Sequence, residues 1–410
     1  MPHFLARQRE VLRSSPSFRL LFGSYLVSGL GTFLAVVALS VDVWDRTHSG
    51  VWVSALLIAD FLPAVAIGLL LGPLVDRLSR KRLLVGADLI RLAVFVLLAF
   101  SASAGQIVAL ALLAGIATGF ARPAAYAGLP NLVATDDLPR ANALLRLAEQ
   151  LTITFGALIG GIVVAAAGPD PAYLVNAASF GISAILLLQI PGSLLQHGYA
   201  RSHGYWEDLS EGFRLVLRSR PLLAVLLSWN LAMIAIAFVN VSEVALAKVS
   251  FDAGDFGFGL LWAANGLGAV IGALLASTWL ERRGMTVLYG LAIGVMGAAY
   301  IAAACSPNVW VAAVCVVVGG IGNATALVCN TLLVQRGAPD RLRGRAFTLI
   351  MGTNFALLGL GMVIAGPLVD ALGARWVWGI AGGIGVVSAL TGFAMLRREP
   401  SAAVPEPVSA

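Results

Sequence analysis

Long runs of apolar residues, separated by short polar segments, recur along the whole chain of 410 residues. Most runs hold roughly 20 residues, the length that an α-helix needs to cross the hydrocarbon core of a bilayer. Apolar and polar residues do not alternate within the runs, which favours helices, because these satisfy their own backbone hydrogen bonds in lipid. The runs predict an all-α polytopic membrane protein with twelve transmembrane helices, at residues 18–44, 51–75, 83–103, 106–129, 141–167, 171–190, 221–247, 256–280, 285–305, 308–334, 345–370 and 374–396.

The composition agrees with this class. Apolar residues make up 59% of the chain and charged residues 12%, whereas a soluble domain typically carries about 25% charged residues. The N-terminal arginines are not followed by a short apolar core with a small-residue cleavage site. We therefore expect the first run to stay in the membrane as a span.

The basic residues are distributed unevenly between the predicted connections. If the N-terminus is placed inside, Lys and Arg concentrate in cytoplasmic segments such as 77–82 and 336–345, while the outer segments hold Arg46, Lys248 and Arg375. This bias follows the positive-inside rule and predicts that both termini are cytoplasmic. The net charge of +6 is thus a topology signal, and we expect no nucleic acid partner. The excess of Arg over Lys suggests a GC-rich genome, so the predicted location is the bacterial inner membrane.

An internal repeat divides the chain into two halves. A shift of 205 residues pairs residues 13–26 (RSSPSFRLLFGSYL) with residues 218–231 (RSRPLLAVLLSWNL), and the same shift matches arginines and glycines near the end of each half. Repeats of this kind are typical of transporters. We expect an N-terminal six-helix bundle at 1–190, a cytoplasmic linker with an amphipathic helix at 191–220, and a C-terminal six-helix bundle with a short tail at 221–410.

The pentapeptide GPLVD occurs twice, at Gly72–Asp76 and at Gly366–Asp370. The copies are not equivalent in the repeat, because the counterpart of the second copy at a shift of 205 is GIVVA, which starts at Gly161. The first copy is predicted at the cytoplasmic end of the second span, and the second at the outer end of the eleventh. Pro367 and Gly373 suit the end of a span, so we expect a helix terminus there.

The first copy continues as GPLVDRLSRKR. Gly72 allows neighbouring helices to approach closely, and Asp76 can face the positive N-terminal end of a neighbouring helix. Arg77, Arg80 and Lys81 hold the loop in the cytoplasm. This stretch resembles the signature loop between the second and third spans of the major facilitator superfamily.

The resemblance implies the major facilitator fold and a gating role for this loop. In that family the acid, here Asp76, docks against the start of the eleventh span, here near Gly344–Phe347, and stabilises the outward-open state. Ser79 stands where the family usually has glycine; a serine there stiffens the turn without removing the charges.

Three further stretches resemble the drug:proton antiporter branch that includes macrolide and siderophore exporters. They are residues 119–150, residues 206–227, and the segment GALIGG with Gly156, Gly160 and Gly161. Glycines at this spacing permit tight helix packing, although alanine replaces the proline of the branch's motif. The resemblance implies proton-coupled efflux of small amphipathic compounds by alternating access, driven by the proton gradient without a cofactor.

Acidic side chains inside spans are costly and are usually paired or functional. Asp60 lies about nine residues into the second span with no basic residue one turn away, so it is a candidate for proton coupling. Asp42 and Glu243 lie toward the outer ends of the first and seventh spans, where either could line an external vestibule. Asp88 precedes Arg91 by three residues, which predicts a structural ion pair.

Glu149 and Arg122 lie at a similar depth in the fifth and fourth spans. We expect them to pair, and two roles are open: a pair whose strength changes when a proton or substrate arrives, or a permanent structural bridge. Polar groups in the C-terminal half are the candidates for contact with substrate, and they are Asn230, Asn240, Asn323, Asn330 and Asn354.

The sequence favours a transporter over an enzyme. No phosphate-binding loop, GxSxG or HExxH motif is present, and the scattered histidines and cysteines predict no metal site. The expected partners are a small-molecule substrate, protons and the lipid bilayer, and we expect a monomer. Two alternatives stay open: a uniporter or importer of a small polar metabolite, and a non-transporting membrane receptor of the same fold.

Overall fold

The computed structural model describes residues 11–70, 78–195, 213–338 and 340–396. Within these ranges the chain forms twelve long helices joined by short connections. They are α1 Pro16–Thr47, α2 Gly50–Leu70, α3 Arg80–Leu98, α4 Ala104–Gly128, α5 Leu138–Ala167, α6 Pro169–Leu188, α7 Arg220–Ala245, α8 Gly254–Arg283, α9 Met285–Ala304, α10 Val309–Gly337, α11 Asp340–Leu372 and α12 Ala374–Leu396.

Eleven of these helices are long and apolar enough to cross a membrane. The prediction of an all-helical polytopic membrane protein is therefore confirmed. The twelfth, α3, has 19 residues, but it carries Arg80, Lys81 and Arg82 at its start and Asp88 and Arg91 farther along. The total of twelve spans stays a prediction, because the charges of α3 set it apart from the others.

Local signals set several helix ends within a few residues of the apolar runs. The side chain of Ser15 accepts a hydrogen bond from the first turn of α1, and that of Asn308 does the same for α10. Both satisfy backbone N–H groups that have no partner inside the helix. Helix α11 runs through the second GPLVD copy and ends before Gly373, whose φ of 81° lies in the left-handed region that favours glycine.

The pairing of helices is the same in the first six and the last six. In the first set α1 packs against α5 and α6, α3 against α4 and α6, and α2 against α4. In the second set α7 packs against α11 and α12, α9 against α10 and α12, and α8 against α10. Helices α3, α4 and α6 begin 205 residues before α9, α10 and α12, which is the shift of the sequence repeat.

Consecutive helices run in opposite directions, which gives the molecule two faces. We call the face that holds Pro16 and Leu396 the near face, and the face that holds Gly50 and Gly373 the far face. The chain begins α1 and ends α12 on the near face. That the near face is cytoplasmic stays a prediction from the distribution of arginines.

The two sets of helices meet closely toward the far face, through the pairs α2–α11 and α5–α8. Between α5 and α8, a Cβ added at Gly161 would come within 2.9 Å of the Gly259 Cα. Lys248, which follows α7, binds Asp45 at the end of α1 at 2.6 Å and Asp255 at the start of α8 at 2.5 Å. We call these contacts, together with those between α2 and α11, the far seam.

The close approach at Gly259 gives the first testable prediction. We expect Gly259→Ala to lower the midpoint of thermal unfolding in detergent, because its Cβ would lie 2.7 Å from both the Ala157 carbonyl oxygen and the Gly161 Cα. Overpacking of this kind costs about 1–3 kcal/mol. The control is Gly359→Ala in α11, where an added Cβ meets nothing within 4 Å. Equal midpoints for the two variants would contradict the tight α5–α8 contact.

Candidate functional site

A cavity of about 250 Å³ lies among the first six helices. Its lining comes from the near-face portions of α1, α3, α4, α5 and α6 and from the middle of α2. Apolar and aromatic side chains share the walls with polar ones. The polar lining residues are Ser24, Tyr25, Ser28, Thr32, Asp60, Asp88, Arg91, Thr118, Arg122, Glu149, Thr152 and Ser183.

Asp88 is held firmly by two helices. Arg91 Nη2 donates to Asp88 Oδ1 at 2.5 Å, and Ser183 Oγ of α6 donates to Asp88 Oδ2 at 2.6 Å. The Arg91 guanidinium also stacks over the Phe180 ring, 4.3 Å from its centroid. Asp88 is buried, with 1% of its surface exposed. This geometry fits the structural ion pair expected from the i,i+3 spacing.

Glu149 forms a looser, more exposed cluster. Arg122 Nη2 donates to Glu149 Oε1 at 2.9 Å, and Arg146 Nη1 donates to Glu149 Oε2 at 3.3 Å. The side chains of Arg122 and Arg146 are 58% and 73% exposed, and that of Glu149 is 19% exposed. These fractions show that the cluster is not enclosed by neighbouring helices. Arg122 and Glu149 both line the cavity, so a ligand there can compete for either side chain.

Asp60 lies midway along α2 and lines the cavity. Among the described residues, no side chain forms a hydrogen bond or ion pair with its carboxyl group. Arg91 and Arg122 are the nearby charges that act on it, but Arg91 binds Asp88 and Arg122 binds Glu149. Asp60 is thus an acid whose neighbouring cations are already engaged.

Aromatic side chains of the second set reach toward the cavity. The Phe33 ring, which lines the cavity, lies 6.4 Å from the Trp262 ring of α8, and the Phe61 ring lies 5.4 Å from the Phe355 ring of α11. Both distances, measured between centroids, are within the range of favourable aromatic contacts. These pairs join the two sets of helices beside the cavity.

The two remaining acids of the sequence analysis do not line this cavity. Asp42 accepts hydrogen bonds from Arg46 Nε at 2.6 Å and from the Tyr173 hydroxyl at 2.9 Å, so it is a paired group near the far face. Glu243 is buried in α7 with 3% of its surface exposed. Within the part of the chain that the structure describes, no hydrogen bond or ion pair joins its side chain.

The five asparagines lie in the second set of helices, away from this cavity. Asn330 and Asn354 are buried, each with 2% of its surface exposed, whereas Asn230, Asn240 and Asn323 are half-buried. Within the described ranges, Asn230 Oδ1, Asn330 Nδ2 and Asn354 Oδ1 lack a hydrogen-bond partner. Each of these three asparagines therefore has one buried amide atom without a partner among the described residues.

Part of the predicted gating loop can be placed. Gly72, Asp76 and Arg77 lie outside the described residues, as does most of the amphipathic segment predicted in the linker. Arg80 Nη1 donates to the carbonyl oxygens of Ala127 and Leu195, each at 2.9 Å. Lys81 Nζ donates to the Leu188 carbonyl oxygen at 2.7 Å. The start of α3 is thereby tied to the near-face ends of α4 and α6.

The glycines of GALIGG face two different helices. A Cβ at Gly156 or Gly160 would lie 2.7 Å from a backbone carbonyl oxygen of α1, and Gly161 faces α8. Helix α5 therefore joins the first set to the second through its glycines. Ala157 stands where the motif of the branch has proline, and helix α5 continues through this position without interruption.

Sequence reasoning missed some of the cavity. Tyr25, Ser183 and the aromatic pairs carry no local signal, because their partners lie on other helices. The contact of Arg146 with Glu149 could have been predicted, since Arg146 precedes Glu149 by three residues and so shares its helix face.

Comparison with known proteins decides the family. A family model described as transmembrane secretion effector matches residues 12–406. The chain belongs to this family of the major facilitator superfamily. It is similar to the multidrug efflux pump Tap of Mycobacterium tuberculosis, with 29% identity over 87% of this chain and 88% of Tap. It is also similar to the enterobactin exporter EntS of Shigella boydii, with 30% identity over 89% of this chain and 87% of EntS.

Solved structures show the same fold at low identity. The nucleoside transporter NupG superposes with a TM-score of 0.70 at 18% identity, covering 93% of this chain and 100% of NupG. An inward-facing bacterial homologue of ferroportin gives a TM-score of 0.74 at 14% identity, covering 93% of this chain and 99% of its own. As a family member with these relatives, the protein is a multi-pass membrane transporter of the bacterial inner membrane.

The contrast between the two ion pairs of the cavity gives a second prediction. We expect Asp88→Asn to lower the midpoint of thermal unfolding markedly, because it leaves the Arg91 charge buried without its partner. Removing one member of a buried pair costs about 3–5 kcal/mol.

Asp137→Asn is the matched control, since Asp137 also bonds an arginine three residues later, but its side chain and that of Arg140 are 24% and 38% exposed. We expect that change to cost less than about 1 kcal/mol. An Asp88→Asn protein that keeps its midpoint yet loses transport would contradict the structural role of Asp88.

Proposed function

We propose that this protein is a proton-coupled exporter of small amphipathic compounds that works by alternating access. The observation that carries the proposal is a cavity near one face that holds an unpartnered acid, Asp60, while the opposite face is closed by the far seam. The Tap and EntS relatives export a drug or a siderophore, which supports the direction of transport.

The proposed architecture has twelve spans in two bundles, residues 1–190 and 221–410, that rock against each other. Support comes from the repeated helix pairing and from the α2–α11 and α5–α8 pairs as the principal contacts between the sets. With both termini in the cytoplasm, the near face is cytoplasmic and the cavity faces the cell interior. The loop with Gly72, Asp76 and Arg77, anchored by Arg80 and Lys81, is the proposed gate on that side.

Asp60 is the proposed proton carrier. Because its carboxylate has no bound partner among the described side chains, gain or loss of a proton changes the net charge of the cavity. A change of charge in a poorly solvated site shifts the balance between conformations that solvate it differently. The proton gradient can thereby drive the conformational cycle without a cofactor.

The Arg122–Glu149 pair is the proposed second element of coupling. It is exposed to the cavity and weakly held, so a cationic group of a substrate or a proton can compete with Arg122 for Glu149. Asp42 is already paired and Glu243 lies outside the cavity, so both rank behind Asp60 and Glu149 as coupling candidates.

The substrate we propose is amphipathic because the walls combine charges with Tyr25, Phe33, Leu84 and Leu187. The asparagines of the second set are the further proposed substrate contacts, and three of them, Asn230, Asn330 and Asn354, have an amide atom without a hydrogen-bond partner among the described residues. A compound bound between the two sets would gain or lose contacts when the sets move relative to each other.

The function is tested by expression in an efflux-deficient bacterial strain. We expect the wild-type protein to raise tolerance to at least one amphipathic toxicant and to lower its cellular accumulation. We expect Asp60→Asn to reduce the rate of proton-driven efflux to below about a tenth of wild type at equal amounts of protein in the membrane, a rise of at least about 1.4 kcal/mol in the activation free energy.

Asp137→Asn, outside the cavity, is the control and should retain efflux. Unchanged tolerance across a broad panel of compounds would argue against export, and increased accumulation would favour an importer. If the Asp60→Asn protein exports as fast as the wild-type protein, Asp60 is not the proton carrier.

The role of Glu149 is tested by the pH dependence of efflux in proteoliposomes. We expect Glu149→Gln to change the pH profile of efflux, because it removes the carboxylate that Arg122 binds. The control is Arg146→Gln, which removes the longer and more exposed bond to the same carboxylate. A Glu149→Gln profile that matches wild type would make the pair a structural bridge.

A further inference from the structure

The second GPLVD copy makes a contact that neither the cavity nor the family explains. Asp370, in the last turn of α11, reaches across to the first turn of α2. Its carboxylate accepts hydrogen bonds from Gly50 N at 2.5 Å and from Ser49 Oγ at 2.8 Å, with Val51 N at 3.5 Å. A carboxylate in this position satisfies orphan N–H groups of α2 and meets the positive end of its dipole.

The helix backbones around this cap approach each other closely. A Cβ at Gly50 would lie 2.7 Å from the Val369 Cβ and 2.8 Å from the Gly366 carbonyl oxygen. A turn farther along α2, Ser54 Oγ donates to the Met362 carbonyl oxygen. The cap thus belongs to a continuous contact between helices of the two sets.

This arrangement is unusual because a helix is normally capped by the residue that precedes it. Serine is one of the best N-caps, and Ser49 occupies that position for α2. Here Ser49 donates its hydroxyl to Asp370 instead, and the first turn of α2 takes its acceptor from another helix more than 300 residues away. If α2 and α11 separated, the Ser49 oxygen could replace Asp370 as the local cap, so the contact is suited to being broken and remade.

We propose that Asp370 is a latch that holds the far seam shut in the state whose cavity faces the near side. The proposal rests on the alternating access of the proposed function. In this view the latch sets the balance between the two states of the transporter, and its loss favours the state that is open to the far face.

The test is a distance measurement across the far face. Spin labels are placed at the native Cys305, which is exposed at the end of α9, and at Ala102→Cys in the α3–α4 connection. The background carries Cys315→Ala and Cys329→Ala. Double electron–electron resonance then reports the separation of the two sets of helices in liposomes, over a range of pH and with and without a transported compound.

We expect Asp370→Ala to raise the ratio of long to short distances by about fivefold, the effect of losing one charged helix cap. Gly50→Ala adds a Cβ on α2 that clashes with Val369 of α11 at the same contact, and it should shift the ratio in the same direction. Asp170→Asn is the control: Asp170 lies in the first turn of α6 near the far face, and no hydrogen bond joins its side chain to the second set among the described residues.

The outcomes separate the latch from the proposed function. If the wild-type protein shows two distances that respond to pH or substrate but Asp370→Ala and Gly50→Ala leave their ratio unchanged, the latch is wrong while alternating access stands. If the wild-type protein keeps one distance under every condition, alternating access is wrong and the latch falls with it. A shift in Asp170→Asn equal to that in Asp370→Ala would also overturn the latch, because any far-face charge would then suffice.

Discussion

The cost of an unpaired charge in lipid governs the arrangement of this molecule. A charge inside a span must bind a partner, reach water, or give up its charge. Asp42, Asp88 and Glu149 each bind an arginine, and Lys248 binds two acids where the sets of helices meet. Asp60 and Glu243 bind no such partner among the described residues, and of these two acids Asp60 is the one that lines the cavity. The rule that accounts for the paired charges therefore also supports Asp60 as the proposed proton carrier.

The far-face parts of the helices hold the two sets together, whereas the parts toward the near face line the cavity. Toward the far face, glycines bring backbones into contact, and a close-packed contact between helices has few intermediate arrangements. Toward the near face, helices of the first set line a cavity that holds Asp60, Arg122 and Glu149. A transporter needs both properties in one molecule: a seam that is either closed or open, and a site whose charge decides which.

The sequence predicts what depends on one helix or on depth in the membrane. Helix number and course follow from the length of the apolar runs, the Asp88–Arg91 pair follows from its spacing, and the Arg122–Glu149 pair follows from equal depth. The sequence does not predict contacts that depend on which helices are neighbours. Ser183 on Asp88, Tyr173 on Asp42 and Asp370 on α2 join residues more than 90 positions apart, and no local pattern encodes such pairs.

The two GPLVD copies show that one short sequence can have related roles at opposite ends of a pair of helices. The two copies are not equivalent positions of the internal repeat, because the shift of 205 residues pairs the second copy with a segment of α5. In space, α2 and α11 are antiparallel neighbours, and the second copy ends α11 where α2 begins. The first copy follows α2 in the sequence, and the family resemblance assigns its Asp76 to the start of α11. Asp370 offers its carboxylate to the N-terminus of α2 in the structure, and Asp76, which lies outside the described residues, is expected to do the same for α11 at the other face. Since the two faces are not open together in alternating access, acids at both ends of one helix pair would stabilise opposite states of the same transporter.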